Sequence, residues 1–143
     1  MLSRRLTISG MQKPVVCDTH ALIYWALEPK RLSVKARREI ERALARGDVA
    51  CADISLWEIA MLSDCGRIKL ANGAKSFLDD LILSLKLNLI PINTEIAVLA
   101  QTVCSGQGDP ADRLIAATAK YLDAPLLTQD AKLAANTQIK TIW

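Results

Sequence analysis

Short apolar runs alternate along the chain with longer stretches whose apolar residues recur every three or four positions. Residues 14–17, 48–52, 87–92, 124–128 and 138–143 are of the first kind and read as buried strands. Residues 19–27, 33 to about 46, 54–63, 73–87, a segment opening at Thr94, and 110 onward carry the helical spacing. Ser33 is placed to cap its helix and Gly47 to end it, with Val34, Ile40 and Leu44 as the expected apolar face. In 73–87, Phe77, Leu81 and Leu85 share one side while Asp79 and Asp80 turn to solvent. Strands alternating with helices from end to end call for right-handed crossovers. The expected fold is therefore three-layer α/β/α around a parallel sheet of four to five strands.

No repeat, linker or low-complexity tract divides residues 11–143, so they are expected to form one domain, with 1–10 as a flexible extension. At 143 residues and 51% apolar, the chain has enough hydrophobic material for a core without staples. Neither a signal-like run nor a stretch of about 20 apolar residues occurs, which predicts a soluble, cytoplasmic protein with no membrane segment. Cys17, Cys51, Cys65 and Cys104 are scattered without metal-binding spacing and read as buried reduced thiols.

The informative residues are acids in apolar surroundings. Asp18 is the only charged side chain between Pro14 and Leu27 and stands at the carboxyl end of the first strand, where open parallel sheets bind ligands. Asp130 repeats that arrangement after the fourth strand. Glu58 shares a helix face with Ile54, Met61 and Leu62 and has no Lys or Arg within a turn to pair with it. Asp109 and Pro110 open a helix in which Asp112 precedes Ile115, Ala119 and Leu122 on one face. A plainer reading stays open for each: Asp18 and Asp109 as caps, Asp112 answering the helix dipole, Arg113 solvated, Glu58 neutral or paired. His20, the single histidine, reads as a packing or hydrogen-bonding residue.

With Asp18, Glu58, Asp112 and Asp130 on one sheet edge, the carboxylates would repel and take up protons unless a divalent cation held them together. Oxygen-only donors favour magnesium, with manganese as the alternative, and such a site suits phosphodiester hydrolysis. The net charge of +3 does not by itself demand a nucleic acid. Lys35, Arg38, Arg42 and Arg46 nevertheless form a stripe on one helix, with Arg31 ahead of it. The interleaved Glu39 and Glu41 suit a solvated face; an RNA partner would make the stripe a place for phosphate contacts.

Asp18-Thr19-His20-Ala21-Leu22, Ser55-x-Trp57-Glu58-Ile59, Gly108-Asp109-Pro110-Ala111-Asp112-Arg113 with Ile115 to Ala119, and Leu127-Thr128-Gln129-Asp130 resemble the four signature blocks of PIN-domain proteins. More narrowly, they resemble bacterial VapC-type toxins of toxin–antitoxin pairs, over about residues 13 to 143. The resemblance implies a magnesium-dependent endoribonuclease whose acids are Asp18, Glu58, Asp112 and Asp130, with Asp109 as a cap or a water-mediated ligand. Thr19 and Thr128 would support the acids with their hydroxyls. It also implies a homodimer and a small antitoxin covering apolar surface around Trp25 and Trp57 while offering an arginine to the carboxylates. The rival is a non-catalytic PIN-like RNA-binding or scaffold domain. A haloacid-dehalogenase-type phosphatase fits poorly, since the position two after Asp18 is His20, and no glycine-rich phosphate loop occurs.

Overall fold

The computed structural model describes residues 10–143. The expected extension at 1–10 lies outside them except for Gly10, which is exposed. Five strands, β1 (Val15–Cys17), β2 (Val49–Ala52), β3 (Asn88–Ile90), β4 (Leu126–Leu127) and β5 (Thr141–Ile142), form an all-parallel sheet in the order β3-β2-β1-β4-β5. The chain leaves the central β1 toward β2 and β3, then crosses back to β4 and β5. The direction of travel therefore reverses between β1 and β4, and the carboxyl ends of that pair flank the crevice that ligands favour in open parallel sheets.

Strand alternation sorts the apolar side chains into two layers. Val15, Cys17, Val49, Cys51 and Leu127 pack on one face against α1 (Thr19–Leu27), α2 (Val34–Arg46), α3 (Ile54–Asp64) and α4 (Gly73–Leu85), through Leu22, Ile40, Ile59 and Leu85. Val16, Ala50, Ala52 and Leu126 pack on the other against α5 (Thr94–Thr102), α6 (Pro110–Leu122) and the short α7 (Ala131–Ala134), through Ile96, Ile115, Leu122 and Leu133. These side chains are almost wholly buried, so truncating any large one to alanine would cost about 2–5 kcal/mol.

The caps behave as their residue types dictate. Ser33 Oγ accepts from Ala36 N at 2.9 Å, and Gly47 ends α2 in the left-handed region at φ 75°. The face of α2 differs from expectation, however: Val34 is 74% exposed, and the buried stripe is Ala36, Ile40 and Ala43. Two residues along a helix is about 200° of rotation, so a face centred on Ala36 turns Val34 outward. The cysteines also divide. Cys17 and Cys51 are buried, but Cys65 is exposed past the end of α3 and Cys104 is half-buried in the loop before α6. The strands are shorter than their apolar runs because an apolar residue needs only cover, whereas a ladder also needs a neighbouring backbone in register. Among the described residues, no helix is long and apolar enough to cross a membrane.

Candidate active site

Asp18 directly follows β1, and its backbone N–H donates to Leu127 O at 3.0 Å, which fixes it at the β1/β4 reversal. It stands before α1 but makes no side-chain cap bond there, so capping does not account for its carboxylate. That group is buried, and its Oδ2 accepts from Thr128 Oγ1 at 2.7 Å. Thr128 Oγ1 in turn accepts from Asp130 N at 3.1 Å. Asp130 Oδ1 accepts from Lys132 N at 2.7 Å and Leu133 N at 3.3 Å, capping α7. On the other side, Thr19 Oγ1 donates to Glu58 Oε1 and lies 3.0 Å from Ser55 Oγ, tying the start of α1 to α3.

The closest convergence is among Glu58, Asp109 and Asp112, each of which brings a carboxylate oxygen within 4.8 Å of the other two. Asp109 both caps and belongs to this trio: its Oδ1 accepts from Ala111 N at 2.8 Å at the mouth of α6. Among the described residues, no Lys or Arg pairs with Asp18, Glu58, Asp109, Asp112 or Asp130. Burial pushes the Asp112 carboxyl up to about 7, and repulsion from Asp18, Asp109, Glu58 and Asp130 adds to it. Burial likewise raises Glu58 and Asp18 above the usual carboxylate range. The hydroxyls of Thr19 and Thr128 oppose those shifts by bonding the charged forms, and His20 opposes both. The trio is all oxygen and gathered tightly, and its Glu58 and Asp112 are destabilised when ionised, which is the donor set a hard divalent cation satisfies.

A profile of the PIN domain matches residues 15–138. The chain belongs to the PIN-domain family. It is 36% identical over 132 residues to the Mycobacterium tuberculosis (strain ATCC 25618 / H37Rv) protein Ribonuclease VapC22, covering 90% of this chain and 98% of that one. Solved structures share the fold at low identity. The Rickettsia felis VapBC2 complex with a promoter DNA fragment has a TM-score of 0.70 at 16% identity, over 90% of this chain and 96% of that chain. DNA-bound VapBC from Salmonella typhimurium has 0.68 at 14%, over 92% and 98%. FitAcB from Neisseria gonorrhoeae has 0.66 at 19%, over 90% and 96%.

In this PIN domain the basic stripe is less unified than its spacing suggests. Helix α2 ends at Gly47, just before the amino end of β2, so it runs away from the edge that carries the acids. Arg46 at its far end is engaged structurally: Nε lies 3.1 Å from Asp48 Oδ2, and a terminal nitrogen donates to Lys13 O at 2.7 Å. Asp48, read from sequence only as the start of a strand, is buried and needs that partner. Arg42 lies 3.8 Å from Glu39, and Lys35 and Arg38 are exposed. Two residues near the acids have more to do than their sequence context indicated. His20 is exposed and acts electrostatically on Asp18 and Glu58. Arg113, solvated on the plainer reading, has an Nε that is shut off from solvent and has no hydrogen-bond partner among the described residues.

Proposed function

We propose that this PIN domain is a metal-dependent endoribonuclease, with Mg2+ as its cation and Mn2+ able to replace it, and the toxin of a toxin–antitoxin pair. The observation that carries the reading is the trio of Glu58, Asp109 and Asp112 with oxygens inside 4.8 Å, backed by buried Asp18 at the sheet reversal. Family membership and the 36% identity to a ribonuclease support RNA as the substrate class.

Glu58, Asp109 and Asp112 would hold the cation, with Asp18 and Asp130 completing the negative field around it. When bound, the cation supplies charge neutralisation for the phosphate and acidifies a water for attack at phosphorus. The chain's own part is preorganisation. Thr128 fixes Asp18, Thr19 fixes Glu58, and the Asp109 cap fixes the mouth of α6, so the acids are in place before substrate arrives. Crowding makes the metal-free cluster costly, which strengthens cation binding.

Trp57, 58% exposed beside Glu58 in sequence, supplies apolar surface for an antitoxin segment. Trp25 is half-buried against the core and contributes less. An antitoxin arginine reaching the carboxylates would compete with the cation through bidentate hydrogen bonds. The same reading carries a homodimer working in the cytoplasm.

The deciding experiment incubates purified protein with a panel of RNAs in Mg2+ and in chelator, beside the Asp112→Asn variant. Cleavage confined to wild type with Mg2+ supports the reading. RNA bound equally in both conditions and never cut would replace it with a non-catalytic RNA-binding domain. Co-purification with a small protein encoded beside it tests the toxin assignment separately.

A further inference from the structure

A cavity of about 930 Å3 opens against the acid cluster, between the loop before α6 and the segment that follows α7. Asp109, Asp112 and Asp130 line its inner side, and Arg113 and Lys132 also line it. Its volume falls within the roughly 300–1,000 Å3 typical of ligand sites.

We propose that this cavity seats the RNA nucleotide next to the scissile bond, with Arg113 and Lys132 holding that nucleotide's phosphate; the inference rests on the nuclease reading above. The first reason is the state of Arg113. Its Nε is buried and has no hydrogen-bond partner, although Asp112 is its neighbour in sequence. Buried donors are nearly always satisfied, and among the described residues no hydrogen bond or ion pair holds the Arg113 side chain in place, so its guanidinium can turn its outer nitrogens to an acceptor in the cavity it lines. A phosphate fits, because a guanidinium presents parallel donors to two oxygens.

The second reason is electrostatic. A polyanion approaching five clustered carboxylates is repelled unless cations flank its path, and a metal at the cluster answers only the phosphate it contacts. Arg113 on α6 and Lys132 on α7 supply positive charge in the cavity itself, whereas Arg46 at the far end of α2 is tied to Asp48. Lys132 is exposed, and its backbone N–H is already fixed to Asp130, so its side chain hangs from an anchored point.

The third reason is that the far wall is built in advance. Asn136 Nδ2 donates to Val103 O at 2.7 Å, and Asn136 Oδ1 accepts from Gln138 N at 2.8 Å, which fastens the segment after α7 to the loop before α6. A cavity held open this way does not need to order its walls when the strand enters.

The test is the affinity of the full chain for a short single-stranded RNA of mixed sequence, measured by fluorescence anisotropy across a salt series with Ca2+ in place of Mg2+. Arg113→Ala should weaken binding on the order of tenfold and lower the salt slope by about 0.7, the loss of one phosphate contact on a single strand. Lys132→Ala should act in the same direction with a smaller effect, and Arg113→Lys should recover part of the affinity. Thermal midpoints accompany each variant; should Arg113→Ala fail to fold, exposed Lys132→Ala and the conservative Arg113→Lys carry the test. Wild-type affinity and slope in the Arg113 and Lys132 variants, with wild type binding RNA, would overturn the cavity assignment and leave the nuclease reading standing. A wild type that binds no RNA in Ca2+ and cuts none in Mg2+ would overturn both.

Discussion

Thr128 Oγ1 donates to Asp18 Oδ2 at 2.7 Å, joining residues 110 positions apart. The bond crosses the reversal between β1 and β4, and the same hydroxyl accepts from Asp130 N. One side chain thus orients one acid and positions the backbone of a second. Thr128→Val keeps the shape, removes the donor, and leaves a buried carboxylate short of a partner. We expect a loss of about 1–3 kcal/mol by denaturant titration and a marked fall in RNA cleavage, with Thr128→Ser recovering most of both.

Stability of the metal-free chain should fall as pH rises. The Asp112 carboxyl is held at about 7 against an ordinary 3.8, so in that window the folded state keeps a proton that the unfolded state has lost. Folding is then favoured at low pH, and that advantage disappears by the time pH has climbed through about 7. The raised Asp18 and Glu58 act in the same sense. Thermal melts in chelator between pH 4.5 and 8 should show the midpoint dropping by several degrees, and Mg2+ should restore it most at the alkaline end. A flat profile would mean that the carboxylates are already compensated.

Asp112→Asn should stop cleavage while leaving the chelated protein as stable as wild type or slightly more so. Removing one negative charge relieves repulsion from four other acids, and the amide is close in size to the carboxylate. It should also flatten the pH profile of the melting midpoint. Unfolding of this variant would identify Asp112 as a structural carboxylate instead.

Arg46→Ala should destabilise the fold and leave RNA binding alone. It strips buried Asp48 of its guanidinium partner, leaving Lys13 N, at 2.9 Å, as its remaining donor among the described residues. We expect a cost of about 1–3 kcal/mol in chemical denaturation and no change in the salt slope for RNA. Arg38→Ala, on an exposed position, should do nothing measurable to stability.

The sequence by itself determined the alternation of strands and helices, the three-layer class, the caps at Ser33 and Asp109, and the isolation of Asp18, Glu58, Asp112 and Asp130 among apolar neighbours. Each of these is a local signal, carried by spacings of two, three or four residues that one element reads out alone. Only the tertiary structure decided which oxygens meet. It put Asp109 into the close trio with Glu58 and Asp112 and bound Asp18 to Thr128, 110 positions away. It also turned Val34 outward and brought Arg113 and Lys132 to one cavity with Asp109, Asp112 and Asp130. These depend on strand order and on how helices rotate against a shared sheet. Contacts between residues dozens of positions apart are fixed by packing of the whole, and no local spacing records them.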